Sequence, residues 1–318
     1  MDTRALGRTG LRASLLGLGT GGANVFGQAR GASPDEARTH VRRALDLGVD
    51  YFDPAAGYRD SDVLLAAALA GVPRSDYRLA TKVHPRSADG ALLTPIEVEA
   101  AIERSLRRLE TDVLDVYQIH ALRLADYDAV VATQLPVLVR AREAGRIRAI
   151  GVTESFAGDD PRHETLSRVL DEGFADVVMV GYNVLHQNAE RDILPRAARA
   201  GVGVVVMAAV RRALATREAL EVLVAELKAG GQLDPSMATV LPDRDPLGWL
   251  VHDGVASVQA ACYRYVAGHP AVSTVLTGTF DPAHLAENAA AVAQGPLPDA
   301  DVARLRTVFG GLDLGLGK

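Results

Sequence analysis

The chain is poor in several things, and each shortage excludes something. It has one cysteine, Cys262, so no internal disulfide can form. That fits a reducing, cytoplasmic setting. Cys262 sits in an apolar helical stretch, ASVQAACYRYVAG, where a buried, inert thiol is expected. No cysteine or histidine cluster has zinc-site spacing, so no metal is expected. Basic residues do not exceed acidic ones: 34 against 40, a formal net charge of −6. This argues against a nucleic-acid partner. No apolar run approaches the length of a membrane span, and MDTRALGRTGLRAS lacks the apolar core of a signal peptide. The glycine-rich GLGTGG does not space its glycines as a dinucleotide fingerprint, which excludes the doubly wound reading.

What is present is a rhythm. Hydrophobic residues make up 48% of 318 positions, ample for a large core. Ser33-Pro34-Asp35-Glu36 opens a helix that stops at Gly48. VDYFDP reads as a strand and DVLLAAALAG as a helix. YRLATKV, the Thr94–Leu109 helix, LDVYQIH, LPVLVRAREAG, IRAIGVT, TLSRVLDEG, DVVMVGYN, ILPRAARAG and VGVVVMAAV continue the alternation. The strands are apolar throughout, as when both faces are covered. Arg211 to Gly254 breaks the rhythm as a long insertion after the seventh strand, placed here over the barrel mouth. A final helix, strand and helix complete eight units. The chain, residues 1–318, therefore reads as a single α/β domain, a (β/α)8 TIM barrel with an N-terminal β-hairpin around Gly7 to Gly10.

In such a barrel, chemistry gathers at the carboxyl ends of the strands. Asp53 ends the second strand, and Tyr58 follows in YFDPAAGYRDSD. Lys82 ends the third strand and His120 the fourth. Singly, each has a plain explanation: a turn cap, a core ring, a rim cation, a satisfied histidine. Together they make an acid–base set. A tyrosine has an ordinary pKa of about 10, and a nearby ammonium favours its phenolate. Asp53 would hold Lys82, and His120 would hydrogen-bond a substrate oxygen. Such a set can protonate a carbonyl while a cofactor delivers hydride.

These segments resemble the aldo-keto reductase family along nearly the whole chain. LGRTGL looks like its opening hairpin. FDPAAGYRDSD is similar to FDTAxxYGxSE, ATKV carries Lys82, TDVLDVYQIH carries His120, GRIRAIGVTES resembles GkIraiGvSN, and GTFDPAHLAEN resembles the cofactor segment ending in Glu-Asn. The resemblance implies reduction of aldehydes or ketones, or oxidation of alcohols or sugars, with NAD(P)(H) across the barrel mouth. It implies Tyr58 as general acid/base, tuned by Lys82 and Asp53, with His120 orienting the carbonyl. It implies Thr20, Gly21, Asp53, Thr153, Glu154, Met179, Met207, Gly278, Thr279, Asp281, Glu287 and Asn288 around the cofactor.

There are departures from the family pattern. Thr153-Glu154 replaces a Ser-Asn pair, Met179 a glutamine, Met207 an aromatic residue, and Arg59 the glycine after the tyrosine. No basic residue follows the last strand in Gly278-Thr279-Phe280-Asp281, a slight lean to NAD over NADP. Asp281 reads equally as a ribose acceptor or as the cap of the last helix. His84, Phe26 and Trp249 are candidate pocket residues, Arg59 could meet an anionic or polyhydroxylated substrate or be a solvated surface arginine, and Tyr117 is packing. The substrate is read as a small carbonyl compound or polyol, set by the loops Gly21–Ala32, Pro85–Leu93 and Arg211–Asp253. Two other readings stay open here: a Schiff-base lyase using Lys82, and a non-catalytic nucleotide-binding barrel.

Overall fold

The computed structural model describes residues 1–155 and 162–314; the last four residues of the GGLDLGLGK tail lie outside them. Helix starts follow local chemistry. Ser33 caps Pro34–Asp46 and Thr94 caps Pro95–Arg108. In both, the cap hydroxyl accepts from an amide one turn on, and a glutamate returns the bond to the cap amide. Proline at the first helical position costs nothing, because its missing N–H would have no partner there.

Ten strands lie among the described residues. β1 (Thr3–Ala5) and β2 (Arg12–Ser14) pair antiparallel. The others are parallel: β3 (Leu16–Gly19), β4 (Tyr51–Asp53), β5 (Arg78–Val83), β6 (Leu114–Leu122), β7 (Ile147–Glu154), β8 (Val177–Gly181), β9 (Gly203–Met207) and β10 (Thr274–Thr277). They close into a barrel, with β10 beside both β9 and β3. This is the expected eight-stranded α/β barrel with an N-terminal hairpin.

The barrel interior is an apolar plug. Tyr51, Ala80, Val116, Ala149, Val177, Met179, Val205 and Met207 form one buried cluster, and Leu6 and Ala13 of the hairpin region complete it. The hairpin therefore seals the amino-terminal end. Gly7 is required there: its φ is +57, and a Cβ would stand 2.2 Å from the amide nitrogen of Gly203.

Three features differ from the sequence reading. β6 continues past His120, with a register break between Ile119 and Leu122 and a left-handed Ala121, φ +53. Helices Tyr127–Thr133 and Asp299–Phe309 were not anticipated. The insertion, whose sequence shows one helix, borne out as Arg217–Ala229, holds a second at Pro235–Val240. Its bonds run to itself and to neighbouring helices: Lys228 pairs with Asp243 at 2.6 Å, Gln259 donates to the Leu214 carbonyl at 3.0 Å, and His252 meets Asp301 at 2.9 Å. Trp249 is half-buried, packed against the core, with the Arg304 guanidinium 4.1 Å from its ring centroid.

Candidate active site

Alternation along the strands sets the site. Side chains two apart share a face. Tyr51, Ala80 and Val116 belong to the interior plug. Two residues on, toward the carboxyl end, stand Asp53, Lys82 and Gln118, and then His120. A polar layer thus lies on an apolar floor.

The Lys82 ammonium donates to Asp53 Oδ2 and to the Pro54 carbonyl, the latter at 3.2 Å. Asp53 Oδ1 accepts from Gln118 Nε2 at 2.8 Å. Asp53 and Lys82 are each only 3% exposed, so the pair is sheltered from water and salt. Gln118 was not among the residues picked from the sequence. The signal existed, since it precedes His120 by two and so shares its face.

Tyr58 reaches in from the loop after β4. Its hydroxyl is 3.5 Å from His120 Nε2, the outer limit of a hydrogen bond. The two rings stand nearly perpendicular, at 87°, and Lys82 Nζ is 5.4 Å from the Tyr58 centroid. Gly21 lies against the phenol; a Cβ there would approach ring carbons to 2.8 Å. Only a residue without a side chain fits.

The electrostatics correct one expectation. Burial raises the Tyr58 pKa; Lys82 opposes this and Asp53 adds to it, and the net direction is upward. Desolvation of the phenolate outweighs the ammonium. His120 is lowered to about 3, first by burial, then by Lys82 and His84. At neutral pH the site therefore presents a protonated phenol beside a neutral imidazole.

The predicted cofactor residues fall in two groups. On the β3–β10 side, Gly278 is exposed, and a Cβ there would meet only the Gly21 carbonyl, at 3.8 Å. Thr279 accepts His40 Nε2 at its carbonyl, 3.0 Å, and the Asp281 amide at its hydroxyl, 3.1 Å. Asp281 caps helix Pro282–Ala293, accepting from the Ala283 and His284 amides at 2.7 and 3.3 Å. Asn288 is buried and donates to Thr277 Oγ1 at 3.0 Å, while Glu287 is exposed. Thr20 is buried and donates to Ser61 Oγ at 3.0 Å.

On the β7–β9 side, side chains are engaged with protein. Thr153 Oγ1 accepts from the Ala121 amide at 2.7 Å. Glu154 binds the Gly181 amide and His163 Nδ1, the latter at 2.7 Å. Met179 and Met207 are part of the plug, 3% and 8% exposed.

Further side chains lie nearby. His84 is exposed, its ring 6.2 Å from His120. Phe26 is buried against Phe280, centroids 5.3 Å apart. Arg30, in the same loop, stands 5.1 Å over Phe280 and acts electrostatically on Asp281. Sequence reasoning looked for a cation near the last strand and missed this one, because it arrives from the first loop. Tyr117 is fully buried packing.

Comparison with known proteins agrees with this architecture. Residues 17–309 match the model of the Aldo/keto reductase family. L-galactose dehydrogenase of Arabidopsis thaliana is 32% identical over 228 residues, 69% of this chain and 68% of that protein. D-threo-aldose 1-dehydrogenase of a Pseudomonas species is 26% identical over 310 residues, 86% of this chain and 88% of that one. The holo form of aldo-keto reductase AKR11C1 from Bacillus halodurans superposes with a TM-score of 0.72, covering 96% of this chain and 95% of that one; at 24% identity this speaks for the fold. With the family model spanning nearly the whole barrel, the chain belongs to the aldo/keto reductase family.

Proposed function

We propose that this protein is an NAD(P)-dependent oxidoreductase that reduces an aldehyde or ketone, or oxidises the matching alcohol or sugar. The observation that carries the reading is the Tyr58 hydroxyl, 3.5 Å from a neutral His120 and beside the buried Asp53–Lys82 pair.

In the reductive direction the substrate oxygen sits between the Tyr58 hydroxyl and His120 Nε2. Tyr58 gives its proton to that oxygen as the alcohol forms. Lys82 then stabilises the phenolate left behind, and Asp53, steadied by Gln118, keeps the ammonium aimed. A bound NAD(P)H supplies the hydride that reaches the carbonyl carbon. Gly278 is exposed, with only the Gly21 carbonyl near its missing Cβ, which suits the approach of a dinucleotide, and the Thr279 hydroxyl, an acceptor for the Asp281 amide, keeps its proton to donate to a phosphate. In the oxidative direction Tyr58 takes the proton back.

A Lys82 nucleophile is disfavoured, since a Schiff base needs a free amine, and Lys82 is bound to Asp53 and the Pro54 carbonyl. The engaged Glu154 carboxylate also favours the oxidoreductase over a dismantled site. Its charge is spent on His163 and the Gly181 amide. On cofactor choice, Asp281 repels a 2′-phosphate and Arg30 attracts it, so we propose only a small preference for NAD. Two relatives are named for aldose or galactose oxidation, which makes aldoses the first substrate class.

The test is titration with NADH and NADPH, then a screen of aldoses and simple carbonyls. Binding is expected to survive Tyr58→Phe while turnover drops about 10²- to 10⁴-fold. Binding of neither nucleotide would overturn the proposal.

A further inference from the structure

We propose that Gln28 is a positioning residue for Tyr58, acting through the backbone of Arg59. The inference rests on Tyr58 being the acid described above.

Arg59 directly follows Tyr58 and has φ +55. This left-handed conformation is disfavoured for any residue with a β-carbon, so its surroundings must hold it. Gln28 does so from one side chain. Its Nε2 donates to the Tyr58 carbonyl at 3.2 Å, and its Oε1 accepts from the Asp60 amide at 3.1 Å. The two peptide groups flanking Arg59 are thereby stapled to one amide.

The staple is itself fixed. Gln28 Nε2 also donates to the Val25 carbonyl at 2.9 Å. The same loop is anchored by Phe26 against Phe280 and His40, with centroids at 5.3 and 6.5 Å. Arg108 secures the far side, donating from Nη2 to the Arg59 carbonyl at 3.2 Å and to Asp60 Oδ1 at 3.1 Å. Rotation of the peptides around Arg59 would swing the phenol away from His120 and Lys82. Without Gln28, the Asp60 amide loses its acceptor and the turn keeps Arg108 and the Ser61 amide, 3.2 Å from the Tyr58 carbonyl, a weaker hold that lets Arg59 relax toward an ordinary φ and carry Tyr58 with it.

The experiment compares Gln28→Ala, Arg59→Gly and the double variant. Each is assayed for kcat, KM and nucleotide affinity, and Asp60 amide exchange is followed by NMR. Gln28→Ala is expected to lower kcat about tenfold or more, since small misplacements of a reacting group are costly, while KM and nucleotide affinity stay unchanged. The double variant is expected to regain most of that rate, because glycine takes the positive φ unaided. Wild-type kcat in Gln28→Ala, or an equal loss in the double variant, would overturn the proposal. If the wild-type protein turns over no substrate, the oxidoreductase reading falls, and exchange at Asp60 still decides this one. Faster exchange in Gln28→Ala upholds the staple, and unchanged exchange removes it.

Discussion

Thr153 and Ala121 are joined by a 2.7 Å hydrogen bond, from the Ala121 amide to the Thr153 hydroxyl. Ala121 is the residue after His120, and it holds φ +53 where the register of β6 against β7 breaks. A hydroxyl on one strand thus supports a bulge on the next, and the bulge aims the imidazole. Thr153→Val keeps the shape and removes the acceptor. It should cost about 1–3 kcal/mol by leaving a sheltered amide unpaired, and should lower kcat more than it changes nucleotide affinity. Urea melts and steady-state kinetics on one preparation test both. An unchanged kcat would separate the bulge from His120's aim.

The two directions of catalysis should differ in pH dependence. The Tyr58 pKa lies above its ordinary value of 10.0, because burial outweighs Lys82. The proton donor for reduction is then fully present at neutral pH. The base for oxidation is scarce and grows about tenfold per pH unit below that pKa. Reduction should be nearly flat from pH 6 to 8, and oxidation should climb. Matching profiles, or a climb that persists in Tyr58→Phe, would remove Tyr58 from the proton transfer.

Acid should destabilise the fold through His120. Its folded pKa is about 3, against an ordinary 6.5. Between those values the unfolded chain binds the proton and the folded one does not, so stability falls as pH drops through this window. The contribution is whole above about 6.5. His120→Gln removes the titrating group and should lose less stability than wild type between pH 7.5 and 5. Chemical denaturation at both values gives the comparison, and parallel losses would contradict a half-buried, neutral imidazole.

Cys262 should resist thiol reagents in the native protein. It is fully buried and its thiol is pushed up to about 12 by desolvation, so almost no thiolate exists to react. A disulfide reagent should titrate no thiol in buffer and one in denaturant. Rapid native reaction would mean that helix Val258–Gly268 opens readily.

Much of this molecule is written in local pattern. Strand–helix alternation, the helix starts at Ser33 and Thr94, and Asp281 as a cap beside its other reading were legible because each depends on residues a few positions apart. Their places at strand ends also sufficed to bring Asp53, Lys82 and His120 to one end of the barrel. Tertiary structure decided the rest, because the deciding distances join residues far apart in the chain. Arg30 stands over Phe280 and acts on Asp281 only when the first loop folds over the last strand. Glu154 became a buried partner of His163 and Gly181 through the packing of β7 against β8. The sign of the Tyr58 shift came from burial, a quantity no stretch of sequence contains. The Arg59 turn, strained on its own, has its support in Gln28, thirty-one positions earlier.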